Sequence, residues 1–204
     1  MKVLHIDSSI LGEGSASRAL TRGILERLRR EHPDAEVTYL DLAAEHLPHL
    51  SGGSLARSDA SEAARNALAL EQFLAADVVV IGAPIYNFTI PSQLKAWIDR
   101  ISVAGKTFRY TANGPEGLAG GKEVIVAMPR GGLIGADARG EFGESYLKFL
   151  FTFLGITNVR FVHAQGLNVS PEHREESLKA AHAAIASFPR VPAARVPAAK
   201  ALAA

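Results

Sequence analysis

Short aliphatic runs and amphipathic segments alternate five times along this 204-residue chain, and that alternation limits the fold more than any other feature. Residues 2–7, 36–41, 77–82, 122–128 and 159–164 read as strands. Residues 15–32, 60–75, 91–103, 141–154 and 171–187 read as helices. In the first helix Ala19, Ile24 and Leu28 recur at helical spacing behind a Ser15 or Ser17 cap. Residues 36–41 set Val37 and Tyr39 against polar neighbours, the period of a half-buried strand. The run from Val78 to Ile81 is aliphatic throughout, as expected of a strand covered on both faces. Five alternations imply a parallel sheet with helices on both sides. At this size the expected strand order is 2-1-3-4-5, with the ligand site beyond the C-terminal ends of strands one and three.

Composition narrows the function. The chain is 48% hydrophobic and 21% charged, with a formal net charge of +1, so a single cored domain is expected and a clustered basic surface for nucleic acid is not. No cysteine is present, which removes thiolate nucleophiles, disulfides and cysteine-based zinc sites. The N-terminus lacks a signal-peptide core, and no apolar run approaches the ~20 residues of a membrane span; a cytoplasmic protein that contacts no membrane is expected. The reading is one domain over residues 1–188, followed by an Ala/Pro-rich mobile tail over 189–204.

In such a sheet the loops that leave the strand C-termini share one rim. The first, DSSILGEGSASR, holds four serines and two glycines before a helix. Hydroxyls and bare amides at a helix N-terminus hold anions, so Ser9, Ser15, Ala16 and Ser17 are a candidate phosphate cradle. Capping alone would use one serine, not four. The second, GAPIYNFTIP, offers Ile85, Tyr86 and Phe88 to pack on a flat heterocycle and Asn87 to bond its polar edge. The third, MPRGGLIG, adds a cation at Arg130 and close backbone approach at Gly131 and Gly132. Together these are what flavin mononucleotide (FMN) requires.

Other readings are weaker. Gly12-x-Gly14-x-x-Ser17 approaches a dinucleotide fingerprint, with Asp41 as the ribose acid, but four residues separate the strand from the first glycine and the third glycine is missing. No P-loop or GxSxG motif occurs. His46 and His49 are read as solvated loop histidines and no metal site is expected. The arginines of ERLRRE are read as a solvated helix face. Trp97, Phe149 and Phe153 are read as core packing.

On the segments SSILGEGSASR, PIYNFTIPSQLKAWIDRISVAGKTFRYTANGPEGL and PRGG, the chain resembles the FMN-dependent NADH-azoreductases, a branch of the flavodoxin-like NAD(P)H:quinone reductases. The likeness runs from about Lys2 to about Ser187, and its most specific mark is the segment 105–118. It implies phosphate contacts at Ser9 and Ser15 to Ser17, and isoalloxazine contacts at Ile85, Tyr86, Asn87 and Phe88 and at Pro129, Arg130, Gly131 and Gly132. Two positions depart from the usual pattern: Ile85 stands where Met is common, and Pro129 replaces a serine and so offers neither hydroxyl nor N–H. The resemblance also implies a homodimer with its sites at the interface. The expected chemistry is ping-pong: NADH or NADPH reduces FMN, and a quinone or azo compound then takes two electrons. No protein side chain is nominated as acid or base. A Rossmann-type NAD dehydrogenase and a non-catalytic flavodoxin-type electron carrier are the alternatives.

Overall fold

Branched aliphatics with no polar interruption make the central strands, and their alternate side chains divide into two cores. The structure, a computed structural model, describes residues 1–45, 47–56, 59–135 and 140–192, without the side chain of Leu55. The strands β1 (Lys2–Asp7), β2 (Glu36–Asp41), β3 (Val78–Gly82), β6 (Glu123–Pro129) and β7 (Asn158–Ala164) form one parallel sheet in the order β2-β1-β3-β6-β7. By position in the sheet this is 2-1-3-4-5, the flavodoxin-like order expected. Leu4, Ile6, Val79, Ile81, Val124, Val126 and Met128 face α3 (Ala60–Ala75), α4 (Ser92–Ile101) and α5 (Gly143–Phe153). Val3, Val78, Val80, Ile125 and Val162 face α1 (Ala16–Glu31) and α6 (Pro171–Ser187).

Trp97 is buried edge-on against Phe73 at 5.8 Å, as expected of a packing residue. Phe149 is not: it is 73% exposed. Phe153 turns inward against Phe108, 4.7 Å away. The four-residue spacing put both on one helix face, but the core covers only part of that face.

Two elements went unread. The stretch between β2 and α3 contains a short helix, α2 (Gly52–Ala56). Residues 105–118 contain an antiparallel hairpin of β4 (Phe108–Thr111) and β5 (Gly114–Gly117), whose glycines and proline hide the strand period. His46 lies outside the described residues, and among those described no cluster of metal-binding side chains occurs. No helix among them is long and apolar enough to cross a membrane.

The first described residues of the expected mobile tail are docked. Val191 is buried, its carbonyl meets the His32 ring at 2.8 Å, and Arg160 donates to the Pro189 carbonyl at 2.8 Å. Nor is Arg27 of ERLRRE solvated: it pairs with Glu31 at 2.8 Å and donates to the carbonyls of Ile185 and Phe188. It thereby closes the C-terminus of α6, where carbonyls lack intrahelical partners.

Candidate functional site

The register places three loops side by side. Asp7 of β1 sits beside Gly82 of β3, and Gly82 beside Ala127 of β6, so the chain leaves all three strands at one level. Gly82 permits this crowding, because a Cβ there would lie 2.7 Å from an Asp7 carboxylate oxygen. Between the loops lies an open cleft with a volume of about 190 Å³, below the ~300–1,000 Å³ of enclosed small-molecule sites.

One wall is the start of α1. Ser15 caps the helix, its hydroxyl accepting from the Arg18 N–H at 3.3 Å and lying 3.0 Å from the Ser17 hydroxyl. The first backbone bond of the helix runs from Ala19 N–H to the Ser15 carbonyl. The N–H groups of Ala16 and Ser17 precede it and have no acceptor within the helix. They carry the positive end of its dipole into the cleft. Ser9 meets the Tyr86 hydroxyl at 3.1 Å, which ties the first loop to the second. Arg18 holds the back of this loop by donating to the Ser9 carbonyl at 3.1 Å.

Arg18 also grips both carboxylate oxygens of Asp41, at 2.8 and 2.9 Å. Burial opposes ionisation of Asp41, but the Arg18 hydrogen bond and the amides of Ala43 and Ala44 outweigh it and hold its pKa below the ordinary carboxylate value. The carboxylate proposed for a dinucleotide ribose is thus occupied in fastening the first loop to β2.

The second wall is the turn after β3. Tyr86 and Thr89 exchange backbone hydrogen bonds at 2.9 and 3.2 Å around Asn87 and Phe88, whose φ angles are 47° and 73°. Two residues at positive φ define the tight hairpin turn in which Asn-Gly is favoured. Phe88 fills the glycine position with a bulky ring that is 67% exposed. Strain of this kind persists where function uses it.

The third wall is the loop after β6. Arg130 N–H bonds the Ala164 carbonyl, and the carbonyls of Arg130 and Gly131 accept from Leu167 and Asn168. A Cβ on Gly131 would lie 2.4 Å from the Asn168 side-chain nitrogen, so any larger residue there would displace the Asn168 side chain. The Arg130 side chain is only 9% exposed, and its nearest carboxylate, Glu141, is 3.8 Å away. Its Nε and one terminal nitrogen are buried without a hydrogen-bond partner. Desolvation lowers its pKa below the ordinary guanidinium value, with Glu141 and Glu144 opposing. Glu141 is itself engaged, accepting from the amides of Glu144 and Ser145.

Of the twelve site residues expected from sequence, Ser9, Ser15, Ala16, Ser17, Ile85, Tyr86, Pro129, Arg130 and Gly131 line this cleft. Asn87, Phe88 and Gly132 do not; the first two form the turn at its rim, and Gly132 accepts from Gly166 N–H. Leu11, Gly14, Pro84, Leu167, Asn168 and Arg174 also line it. Leu11, Gly14 and Pro84 lay inside loops already singled out. Leu167 and Asn168 follow β7, one of the two remaining loops of the same rim, and Arg174 lies in the first turns of α6.

A doubly wound sheet that opens a serine-lined helix start and a glycine loop at the β1/β3 switch point defines a nucleotide-binding α/β protein of flavodoxin type. The chain belongs to the Flavodoxin_2 family, described as a flavodoxin-like fold, whose model matches residues 1–188. It is 55% identical over 185 residues to "FMN-dependent NADH:quinone oxidoreductase 1" of Xanthomonas euvesicatoria, covering 91% of this chain and 95% of that one. It is 56% identical over 199 residues to "FMN-dependent NADH:quinone oxidoreductase 2" of Bradyrhizobium diazoefficiens, covering 92% and 98%. Among solved structures, an azoreductase from Bacillus anthracis superposes with a TM-score of 0.80 at 35% identity over 91% of this chain and 97% of that one.

Proposed function

We propose that this chain is an FMN-dependent NADH:quinone oxidoreductase that also reduces azo compounds. The observation that carries the reading is the buried Arg130 guanidinium: its Nε and one terminal nitrogen make no hydrogen bond, and the latter has only a long 3.8 Å ion pair with Glu141. It lines the same cleft as the unsatisfied amides of Ala16 and Ser17. A buried unpaired donor is costly, and an anionic ligand with hydrogen-bond acceptors removes that cost at both walls. The donors therefore fit FMN. Its phosphate would be held by Ser9, Ser15, Ala16 and Ser17, and its ring by Ile85, Tyr86, Asn87 and Phe88 and by Pro129 to Gly132. Relatives bearing the name FMN-dependent NADH:quinone oxidoreductase and a 29%-identical Bacillus anthracis azoreductase structure described as in complex with FMN, TM-score 0.81, support this reading.

When bound, the flavin supplies the two-electron chemistry. The chain positions it and sets the local field. The α1 amides offset phosphate charge. The Ser9–Tyr86 contact fixes the distance between phosphate wall and ring wall. Arg130, partly desolvated, stabilises negative charge on the ring edge as it develops. No side chain of the cleft is assigned proton transfer; acceptor protons come from water. A single cleft serving donor and acceptor in turn gives ping-pong kinetics, with NADH the donor and NADPH the alternative.

Phe88, Leu133 and Phe142 are exposed around the ring side of the cleft, and we place a homodimer interface over them. A cytoplasmic setting completes the proposal. Titrating FMN into apoprotein while following NADH oxidation by a quinone tests it. Stoichiometric uptake with parallel-line kinetics is expected; failure to bind FMN, or intersecting lines, would count against it.

A further inference from the structure

A second groove, with a volume of about 330 Å³, opens where α1 meets the edge strand β2, and it shares no lining residue with the flavin cleft. One wall is a stripe of α1: Arg18, Arg22, Leu25 and Arg29 succeed one another at spacings of four, three and four, which is one helix face. Arg18 is committed to Asp41. Arg22 meets only Glu13, in a pair whose members are 54% and 90% exposed, an arrangement worth little in water. Arg29 has no hydrogen bond or ion pair among the described residues. Two guanidinium groups, two turns apart, are thus available to a ligand.

The opposite wall is ordered. His5 is 6% exposed, yet its Nε2 has no hydrogen-bond partner and lies 3.4 Å from an Asp7 carboxylate oxygen. Tyr39 leans on the His5 ring at 4.8 Å and remains half-exposed. Burial and the neighbouring Asp7 and Asp41 push the Tyr39 pKa up to about 12, so the phenol adds no negative charge. The carboxylates facing the groove are accounted for. Asp7 accepts from Thr21 and Tyr39, Asp41 is covered by Arg18, and Glu13 rests on Arg22 where an incoming anion would replace it. Leu25 and Val37 give the wall an apolar strip beside Tyr39.

Cations at one side and an aromatic ring with aliphatic neighbours at the other suit a ligand that joins phosphates to a planar base. We propose that this groove binds a nucleoside diphosphate, its phosphates on Arg22 and Arg29 and its base against Tyr39. Guanidinium forks match phosphate geometry. The proposal is independent of the flavin reading, since its residues are separate.

The test uses FMN-loaded protein, so that the phosphate cradle is filled, and ADP as probe. Calorimetry should show saturable binding that weakens about tenfold or more in R22Q/R29Q, as expected on loss of two charged hydrogen-bond partners. Adding ADP to the wild type should move the amide resonances of Arg22, Leu25, Arg29 and Tyr39. Circular dichroism and quinone turnover of the variant should be unchanged, because both arginines lie outside the cleft. Shifts confined to Gly131 and Asn168, equal affinity in the variant, or pyrophosphate binding as tightly as ADP would each overturn the assignment.

Discussion

The two ends of the sheet bury arginines to similar depth and use them in opposite ways. At the N-terminal end the guanidinium groups of Arg27, Arg160 and Arg190 meet acceptors. Arg27 joins Glu31 to the end of α6. Arg160 pairs with Glu123 at 2.8 Å and reaches Pro189, and Arg190 donates to the Glu31 carbonyl at 2.9 Å. At the C-terminal end Arg130 keeps two nitrogens without a hydrogen bond, one of them only 3.8 Å from Glu141, beside amides of the α1 start that have no acceptor within the helix. Burying a polar group costs free energy unless it is bonded. The first end is complete without a ligand; the second is not. Burial of a charge is therefore uninformative by itself, and its pairing distinguishes structure from site.

The sharpest way to break this contrast is to remove the unpaired arginine. Arg130→Met is expected to weaken FMN binding by roughly 10- to 100-fold, the effect of losing charge-assisted hydrogen bonds. The apoprotein should not be destabilised. The pKa of Arg130 is lowered in the folded chain by desolvation, so although the guanidinium stays charged at neutral pH, burying that charge costs folding stability. Relief of the desolvated charge is offset by the loss of the 3.8 Å pair with Glu141, so the net change in apoprotein stability should stay under about 1 kcal/mol. Flavin fluorescence titration and apoprotein melting check the two halves. Reduced apoprotein stability would mean that Arg130 belongs with the paired class.

The converse change acts on the other end. A chain ending at Phe188 loses the buried Val191 side chain and the hydrogen bonds that reach residues 189–191. The loss is expected to be about 2 kcal/mol of stability, read as a lower denaturation midpoint, with FMN affinity unchanged. A matching fall in FMN affinity would show that the two ends are coupled and that the contrast is false.

The sequence carried the sheet because its central strands β3 and β6 are continuous aliphatic runs, which mean two covered faces, while β2 alternates as a half-buried edge strand does. The cleft was legible for the same reason, since strand order places loops and the loops are short. Side-chain commitments were not legible. Nothing in ERLRRE distinguishes Arg27, which meets α6 some 158 residues away, from Arg29, which has no hydrogen bond or ion pair among the described residues. Phe149 and Phe153 share a helix face by spacing, yet only Phe153 reaches the core. Val191 sits in an Ala/Pro-rich stretch without periodicity, and its burial depends on the distant partners Glu31, His32 and Arg160. The β4–β5 hairpin was hidden because its turn residues outnumber its strand formers. Local pattern specifies elements; contacts across the sheet specify which polar residues are spent on structure.

The smallest expected effect concerns strain rather than charge. Phe88 holds φ at 73° in a turn where glycine would sit freely, a conformation that costs a bulky residue about 1 kcal/mol or more. None of the clasp residues at the other end of the sheet, Arg27, Glu31, Arg160 and Arg190, has a positive φ, so the strain belongs to the incomplete end. Phe88→Gly removes the steric cost, while the added freedom of the unfolded chain returns part of it. The net gain in stability should be under about 1 kcal/mol. The ring is 67% exposed, so its removal opens no core cavity to offset the gain. If the strained ring is retained for the flavin and the acceptor, the same variant should bind FMN less tightly and raise KM for the quinone more than it lowers kcat. Denaturant unfolding of the apoprotein beside steady-state kinetics of the loaded enzyme separates the outcomes. A variant that gains stability and keeps its full affinity and KM would leave the strain without a function, and positive φ would then mark only a tight turn.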